Sequence, residues 1–278
     1  MFRLIRIIVC TMMLGTITWS SATAEGTPTV NGTLIQSPVL LKINQYYVLF
    51  TAPSVPYIDE QRRLMIPLRA VSELLGTHVV YLPVERTASI TKGNNQVEVT
   101  LGSTEIKYTH AEGTAIDTSH AILDTKPVLK QGQIFIPAKA LLDGLHLKAI
   151  YEDSLLSISV NDLADTNSIL GSLDSIGGLE YKGQLRPTSF SMNLPPAGSN
   201  DKSIHLTMTV KNISGQNLAA GSDSDLWTGI ATIGGVGFDG AVPKGKTIRP
   251  ALAAGESYEA ERYMNSAERS LKYIVVEQ

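Results

Sequence analysis

The hydrophobic pattern of the chain changes twice from a short apolar run to helical spacing, in the same order each time. Residues 64–66 and 134–136 are the apolar runs, and Pro67 or Pro137 follows each of them. Proline is favoured at the first position of a helix, because its missing N–H has no partner there and its φ is already set. The two segments lie seventy positions apart. The pattern therefore predicts an internal repeat in which a strand leads directly into a helix.

Each predicted helix carries one apolar stripe. The leucines and valine at helical spacing are Leu68, Val71, Leu74 and Leu75 in the first copy and Leu141, Leu142 and Leu145 in the second. Arg69 and Lys139 fall off this stripe. Gly76 predicts a left-handed cap at the end of the first helix. We therefore expect both helices to lie on a core.

Most other apolar runs are short enough to be strands. Residues 39–43 and 46–50 flank Asn44-Gln45, which predicts a hairpin, and residues 97–101 alternate as a half-buried strand does. The connections between these runs have hairpin length, which permits antiparallel pairing and not parallel pairing. For residues 38–160 we predict an α+β domain with an antiparallel sheet curled around the two repeat helices.

These motifs occur together in an order that resembles a known family. The strand, the proline-started helix ending in Leu-Leu-Gly and the run from Pro127 to Pro137 resemble the copper amine oxidase N-terminal-like domain, or stalk domain, of secreted bacterial proteins. The second copy departs from the pattern with His146 in place of glycine, and with Ala138-Lys139 in place of Leu-Arg. The resemblance implies a stalk domain over residues 38–160.

The start of the chain has the composition of a secretory signal. Arg3 and Arg6 precede the apolar residues 7–17, and small residues at 22–24 supply a cleavage site. We predict a signal peptide over 1–24 and a flexible leader over 25–37; the alternative is a retained membrane anchor. Cleavage would remove Cys10, the single cysteine in the sequence, and with it any disulfide or thiolate chemistry.

The C-terminal third of the chain has a different hydrophobic pattern from the region before it. Residues 161–184 are rich in Gly, Ser and Asp, which predicts a linker. From 204 to 210 apolar and polar residues alternate, and glycine-rich turns separate several further short runs. This spacing is typical of an all-β, immunoglobulin-like sandwich, which we predict for residues 185–278.

One run matches a nucleotide-binding motif by letters alone. Residues 240–247 read Gly-Ala-Val-Pro-Lys-Gly-Lys-Thr, the phosphate-cradling pattern. A working loop needs a buried strand before it and a helix after it, whereas Gly234, Gly235 and Pro250 break both. We predict a β-turn and no nucleotide. The chain has a net charge of −3 and no basic run, so nucleic acid is not an expected partner.

The sequence also contains no convincing motif for a metal site or for a catalytic site. The five histidines, which lack metal-site spacing, are His78, His110, His120, His146 and His205. His78 and His146 follow matching helices and could approach each other if the repeats are symmetric, but we interpret all five as single surface side chains. Asp223 and Asp225 lack further calcium ligands at regular offsets. We assign no catalytic, cofactor-binding or metal-binding residue and no cofactor.

Trp227 and Phe238 flank a glycine-rich stretch. They fit either a contact surface for carbohydrate or protein, or a core position of the sandwich, and the binding residues stay unknown. The signal, the repeat and the missing catalytic constellation predict a secreted, non-catalytic protein of the bacterial cell envelope or exterior. Its expected role is a structural or binding module for a cell-wall polymer or surface protein. The alternative is an accessory cell-wall hydrolase or hydrolase inhibitor.

Overall fold

The computed structural model describes residues 39–163, 168–176, 183–193, 203–222, 226–232, 235–237, 248–265 and 271–277. The predicted signal peptide (1–24) and leader (25–37) lie outside the described residues, as do Asp223, Asp225, Phe238 and the run 240–247. Trp227 begins a strand, but its side chain is not among those described. The predictions made for these positions stay predictions.

Strands make up most of the described chain. Those up to residue 160 are β1 (Leu40–Ile43), β2 (Tyr46–Phe50), β3 (Tyr57–Ile58), β4 (Leu64–Pro67), β5 (His78–Leu82), β6 (Thr87–Lys92), β7 (Asn95–Thr100), β8 (Glu105–Glu112), β9 (Ala115–Ile122), β10 (Val128–Lys130), β11 (Gln133–Pro137), β12 (Lys148–Glu152) and β13 (Leu155–Ser159). The later strands are β14 (Leu185–Asn193), β15 (Ser203–Asn212), β16 (Gly221–Ser222), β17 (Trp227–Thr232), β18 (Gly235–Gly237), β19 (Ile248–Arg249), β20 (Ser257–Asn265) and β21 (Leu271–Glu277). The helices are α1 (Leu68–Leu74), α2 (Ala138–Gly144) and α3 (Ile169–Ile176).

Two antiparallel sheets form the framework around α1 and α2. One has the strand order β5-β6-β7-β8-β9 and the other the order β10-β11-β4-β3. Every neighbouring pair in both sheets is antiparallel. The predicted curled antiparallel sheet is therefore present, in a chain that is mostly β with few helices.

The strand-to-helix connections fall at the two prolines. Pro67 ends β4 and is the N-cap of α1, and Pro137 ends β11 and is the N-cap of α2, so each proline lies one position before the first helical position that was predicted for it. β4 and β11 pair with each other, and Ile66 lies opposite Ile136, which is its counterpart seventy positions later. Equivalent positions thus face one another across the ladder, as in a local two-fold arrangement.

Both helices end in the same hydrogen-bonded motif. After α1, the N–H of Gly76 bonds Glu73 O at 3.3 Å and the N–H of Thr77 bonds Ser72 O at 2.9 Å. After α2, His146 N and Leu147 N donate to the corresponding carbonyl oxygens at 3.1 and 2.9 Å. This is the Schellman arrangement, whose C′ residue takes a left-handed conformation. The φ of Gly76 is 65° and that of His146 is 53°.

A seven-stranded sheet joins the two ends of the chain. Its order is β12-β13-β1-β2-β21-β17-β18, so that β2 near the N-terminus pairs with β21 near the C-terminus. Both β1 and β21 are antiparallel to β2 and consequently run in the same direction. The predicted boundary between residues 160 and 185 is therefore not a break in the sheet.

The central strand β2 serves two cores, because its side chains alternate between the faces of the sheet. Tyr46, Val48 and Phe50 belong to the first core, which also contains both helix stripes. Tyr47 and Leu49 belong to the second core, together with β14, β15 and β20 side chains such as Leu206 and Met208. All five β2 side chains are at most 1% exposed. One strand therefore stabilises both halves of the molecule.

The second core lies between two facing sheets, but its composition differs from the prediction. The three-stranded sheet β14-β15-β20 supplies one layer, and β2 and β21 supply the other. A sandwich of residues 185–278 alone was predicted, whereas part of this layer comes from residues 46–50. The sequence pattern could not show this, because a run buried on both faces does not reveal its partners.

The described part of the predicted linker is packed. It forms α3, and Leu170 and Leu173 of this helix join the first core with Leu163. Ser168 caps the helix through a 2.9 Å bond from Gly171 N to its Oγ. Within the described ranges, no helix has the length and hydropathy that a bilayer crossing requires.

Candidate binding site

A pocket of about 140 Å³ opens where the N-terminal and C-terminal regions meet. Four parts of the chain form it: the start of β1, the end of β2, the turn into β13 with the start of that strand, and the first half of β14. The apolar part of its wall includes Leu49, Leu155 and Phe190. The pocket exists only because β14 packs against the shared sheet.

Local backbone irregularities shape the rim of this pocket. Asp153 and Ser154 form the β12–β13 turn with φ of 47° and 60°, and Ser154 O accepts a 2.8 Å bond from Leu40 N. On the other side, β14 has a register shift between Pro187 and Ser189. A bulge of this kind re-aims side chains next to it. The two irregularities place hydroxyl groups beside the apolar wall.

Two charged side chains, Asp153 and Arg186, also line the pocket. Among the described residues, no carboxylate lies within salt-bridge distance of Arg186, and its cross-strand neighbour is the cation Lys211. The hydroxyl groups on β14 are already engaged: Thr188 Oγ1 donates to Thr209 O at 3.1 Å, and Ser189 Oγ donates to Thr209 Oγ1 at 2.9 Å. The charged groups of Asp153 and Arg186 both face the pocket, and the guanidinium of Arg186 suits a carboxylate or phosphate group.

The histidines are distributed over the described surface with one exception. His120 Nδ1 lies 3.1 Å from Glu105 Oε1, and the ring of His205 stacks on Tyr263 with centroids 4.4 Å apart. The ring that contacts His146 is that of His110, at a centroid distance of 5.8 Å, and not that of His78. Among the described residues there is no cluster of three or more His, Cys, Asp or Glu that could hold a metal ion.

Outside the pocket, burial and neighbouring charges shift the pKa values of a few side chains. Desolvation raises the pKa of Tyr273, with a further contribution from Glu73, and raises the pKa of Tyr108, assisted by Asp143. The hydrogen bond from Lys92 lowers the pKa of Asp162. These side chains do not form a catalytic pair with one another, and each shift has a structural cause.

The geometry defines a protein that is mostly β, with few helices and a curled antiparallel sheet. Residues 42–160 match the model of the family described as Copper amine oxidase N-terminal domain. The match confirms the resemblance inferred from the sequence motifs, and the N-terminal domain of that family is non-catalytic and stalk-like. No curated protein sequence matches the chain.

The pocket could not be predicted from the sequence, because no segment that lines it indicates which other segments lie beside it. Leu49, Ser154 and Arg186 come from three segments that only the β2–β21 pairing and the packing of β14 bring together. The Arg186-Pro187 pair, at the start of an alternating strand, was the sole local signal, since proline in a strand marks an edge or a bulge.

Proposed function

We propose that the protein is a secreted, non-catalytic structural and binding module of the bacterial cell envelope. The matching domain is stalk-like. The signal-like N-terminus supports export, and N-terminal sequencing of secreted material should then begin at Glu25. A mature chain beginning at a lipid-modified Cys10 would contradict this part of the proposal.

The observation that carries the structural role is the direction of β1 and β21. Leu41 lies opposite Val48, and Val48 lies opposite Val275, so the two strands that flank β2 run parallel to each other. The start of β1 and the end of β21 are therefore at opposite ends of the sheet. A force applied between them loads the hydrogen bonds of both ladders side by side, in shear. Hydrogen bonds loaded in shear must break together, and a tether under tension requires this arrangement.

Single-molecule pulling tests this role. The mature chain, residues 25–278, lacks cysteine, so handles can be attached at engineered cysteines. Pulling between residue 25 and the C-terminus loads the ladders in shear. The matched control has its second handle at Ser270→Cys, just before β21, which peels the same strands from one end. We expect a several-fold higher unfolding force for the first geometry. Equal, low forces in both would overturn the structural role.

The pocket supports the binding role. We propose that the apolar wall and Arg186 hold a small amphipathic group with an anionic end, carried by a cell-wall polymer or a surface protein. Pull-down from cell-wall fractions with the wild-type chain and with Arg186→Ala tests this, and Lys148→Ala, an exposed cation outside the pocket, is the matched control. We expect saturable binding that Arg186→Ala weakens and Lys148→Ala does not. Turnover of purified peptidoglycan by the wild-type chain would instead favour the hydrolase alternative.

A further inference from the structure

Two histidines from distant parts of the chain meet at the end of α2. His110 belongs to β8, and His146 is the C′ residue of the motif that ends α2. Their ring centroids are 5.8 Å apart, with 32° between the ring planes. The His146 side chain is exposed and that of His110 is half-buried, so both are accessible from solvent.

The hydrogen bond of His110 fixes which of its nitrogens is free. His110 Nδ1 lies 2.6 Å from Asn95 Oδ1 on the neighbouring strand. Because an amide oxygen can only accept, His110 Nδ1 donates the hydrogen, and in the neutral imidazole Nε2 therefore carries the lone pair. A bond from the second ring nitrogen to an oxygen is the usual way in which proteins orient a metal-binding histidine.

The backbone at His146 has a conformation that residues with a side chain rarely adopt. Its φ of 53° is in the left-handed region, and the equivalent position after α1 holds Gly76, with φ of 65°. Glycine adopts this conformation without steric cost, whereas a residue with a side chain does not. Strained residues of this kind are concentrated at functional sites. In this left-handed conformation the His146 ring lies beside that of His110.

We propose that His110 and His146 form a two-ligand site for a divalent transition-metal ion. Imidazole nitrogens suit zinc, nickel and copper, and not magnesium or calcium. With metal–nitrogen bonds of about 2.0–2.1 Å, a tetrahedral ion holds the centroids of two ligating imidazoles roughly 5 to 6 Å apart, and the observed separation agrees. Asp117, which lies opposite His110 in the β8–β9 ladder, adds negative charge nearby. Water would complete the coordination, because the described residues provide no third ligand.

The test is a titration of the tag-free mature chain, residues 25–278, with ZnCl2 and with NiCl2 by calorimetry. We expect one ion per chain, and at least a tenfold loss of affinity in His110→Ala and in His146→Gly. His146→Gly restores the residue found after α1, so its melting temperature without metal should equal or exceed that of the wild type. Loss of binding in this variant therefore cannot come from unfolding.

Matched controls are His78→Ala and His120→Ala, whose rings lie outside the pair; both should bind as the wild type does. MgCl2 should produce no saturable binding. Zinc and nickel affinities that are unchanged in His146→Gly would overturn the proposal, as would the absence of binding in the wild type.

Discussion

The two strand–helix units, β4–α1 and β11–α2, share their capping motif and differ at one position of the helix that lies in the core. In the first unit, Leu74 fills the space under α1 and is fully buried. The equivalent position in the second unit is Gly144, where an added Cβ would lie closer than 3.0 Å to Val97 Cγ2 and to the Tyr108 ring. The two helices thus end in the same backbone motif, although a buried leucine stands at this position in α1 and a glycine in close contact with neighbouring side chains stands there in α2.

The largest expected effect comes from the leucines that both units bury. Leu74→Ala and Leu145→Ala should each lower the free energy of unfolding by about 2–5 kcal/mol, because truncation of a core leucine leaves a cavity. Denaturant unfolding of residues 25–278 measures this loss. Leu129, which is 61% exposed, provides the control, and its change to alanine should alter stability by no more than about 0.5 kcal/mol. Equal effects at buried and exposed leucines would show that the helix stripes are not in the core.

Gly144→Ala tests the close approach of α2. Alanine is a better helix former than glycine by about 1 kcal/mol, so a free helix would gain stability. The clash with Val97 and Tyr108 should reverse this, with a net loss of about 1–3 kcal/mol. Thermal or denaturant unfolding gives the sign. In a Val97→Ala background the same change should cost less, because the two sites are in contact. A stabilised Gly144→Ala protein would show that the helix is free to move away.

The two C′ positions should respond in opposite directions. Gly76→Ala forces a side chain into the left-handed region and should destabilise the protein by about 1–2 kcal/mol. Without metal, His146→Gly should leave stability unchanged or raise it by less than about 1 kcal/mol, since the relief of strain competes with the entropy of glycine in the unfolded chain. Denaturant unfolding of both variants, measured side by side, gives the two changes in stability. Stability losses of equal size in both variants would contradict the expected difference between the two caps.

The smallest effect concerns a contact between α1 and the C-terminal strand β21. Lys272 Nζ lies 3.1 and 2.9 Å from the two carboxylate oxygens of Glu73 on α1. This partly exposed pair should contribute about 0.2–1 kcal/mol, and screening by salt should reduce it. The stability difference between wild type and Lys272→Ala should shrink when the salt concentration rises. A difference that is independent of salt would point to packing of the lysine stem instead.

Local features of the fold could be predicted from the sequence. The Asn44-Gln45 hairpin, the strand-to-helix change at Pro67 and Pro137 and the buried leucine stripes are all present in the structure. Each depends on residues that are close together in the chain, where proline geometry and side-chain periodicity decide the conformation. The family resemblance rested on the same local motifs.

Partnerships between distant segments could not be predicted. Tyr46 to Phe50 read as an apolar hairpin strand, and nothing in them indicated that Tyr47 lies opposite Val276. The pocket around Arg186 and the contact between His110 and His146 depend on such pairings. A period of two shows that a strand has faces, but it does not identify the strand beside it.

The pairing of β2 with β21 also has a consequence for the order of folding. Thr51 Oγ1 donates to Lys272 O across 221 positions of sequence, so the sheet cannot close until almost the whole chain is present. Contacts of such high sequence separation slow folding, and until β21 arrives the edge of β2 is open to pairing with other chains. A nascent chain that emerges N-terminus first would expose this edge for most of its synthesis. Truncation before residue 271 should therefore yield aggregation rather than a smaller folded protein.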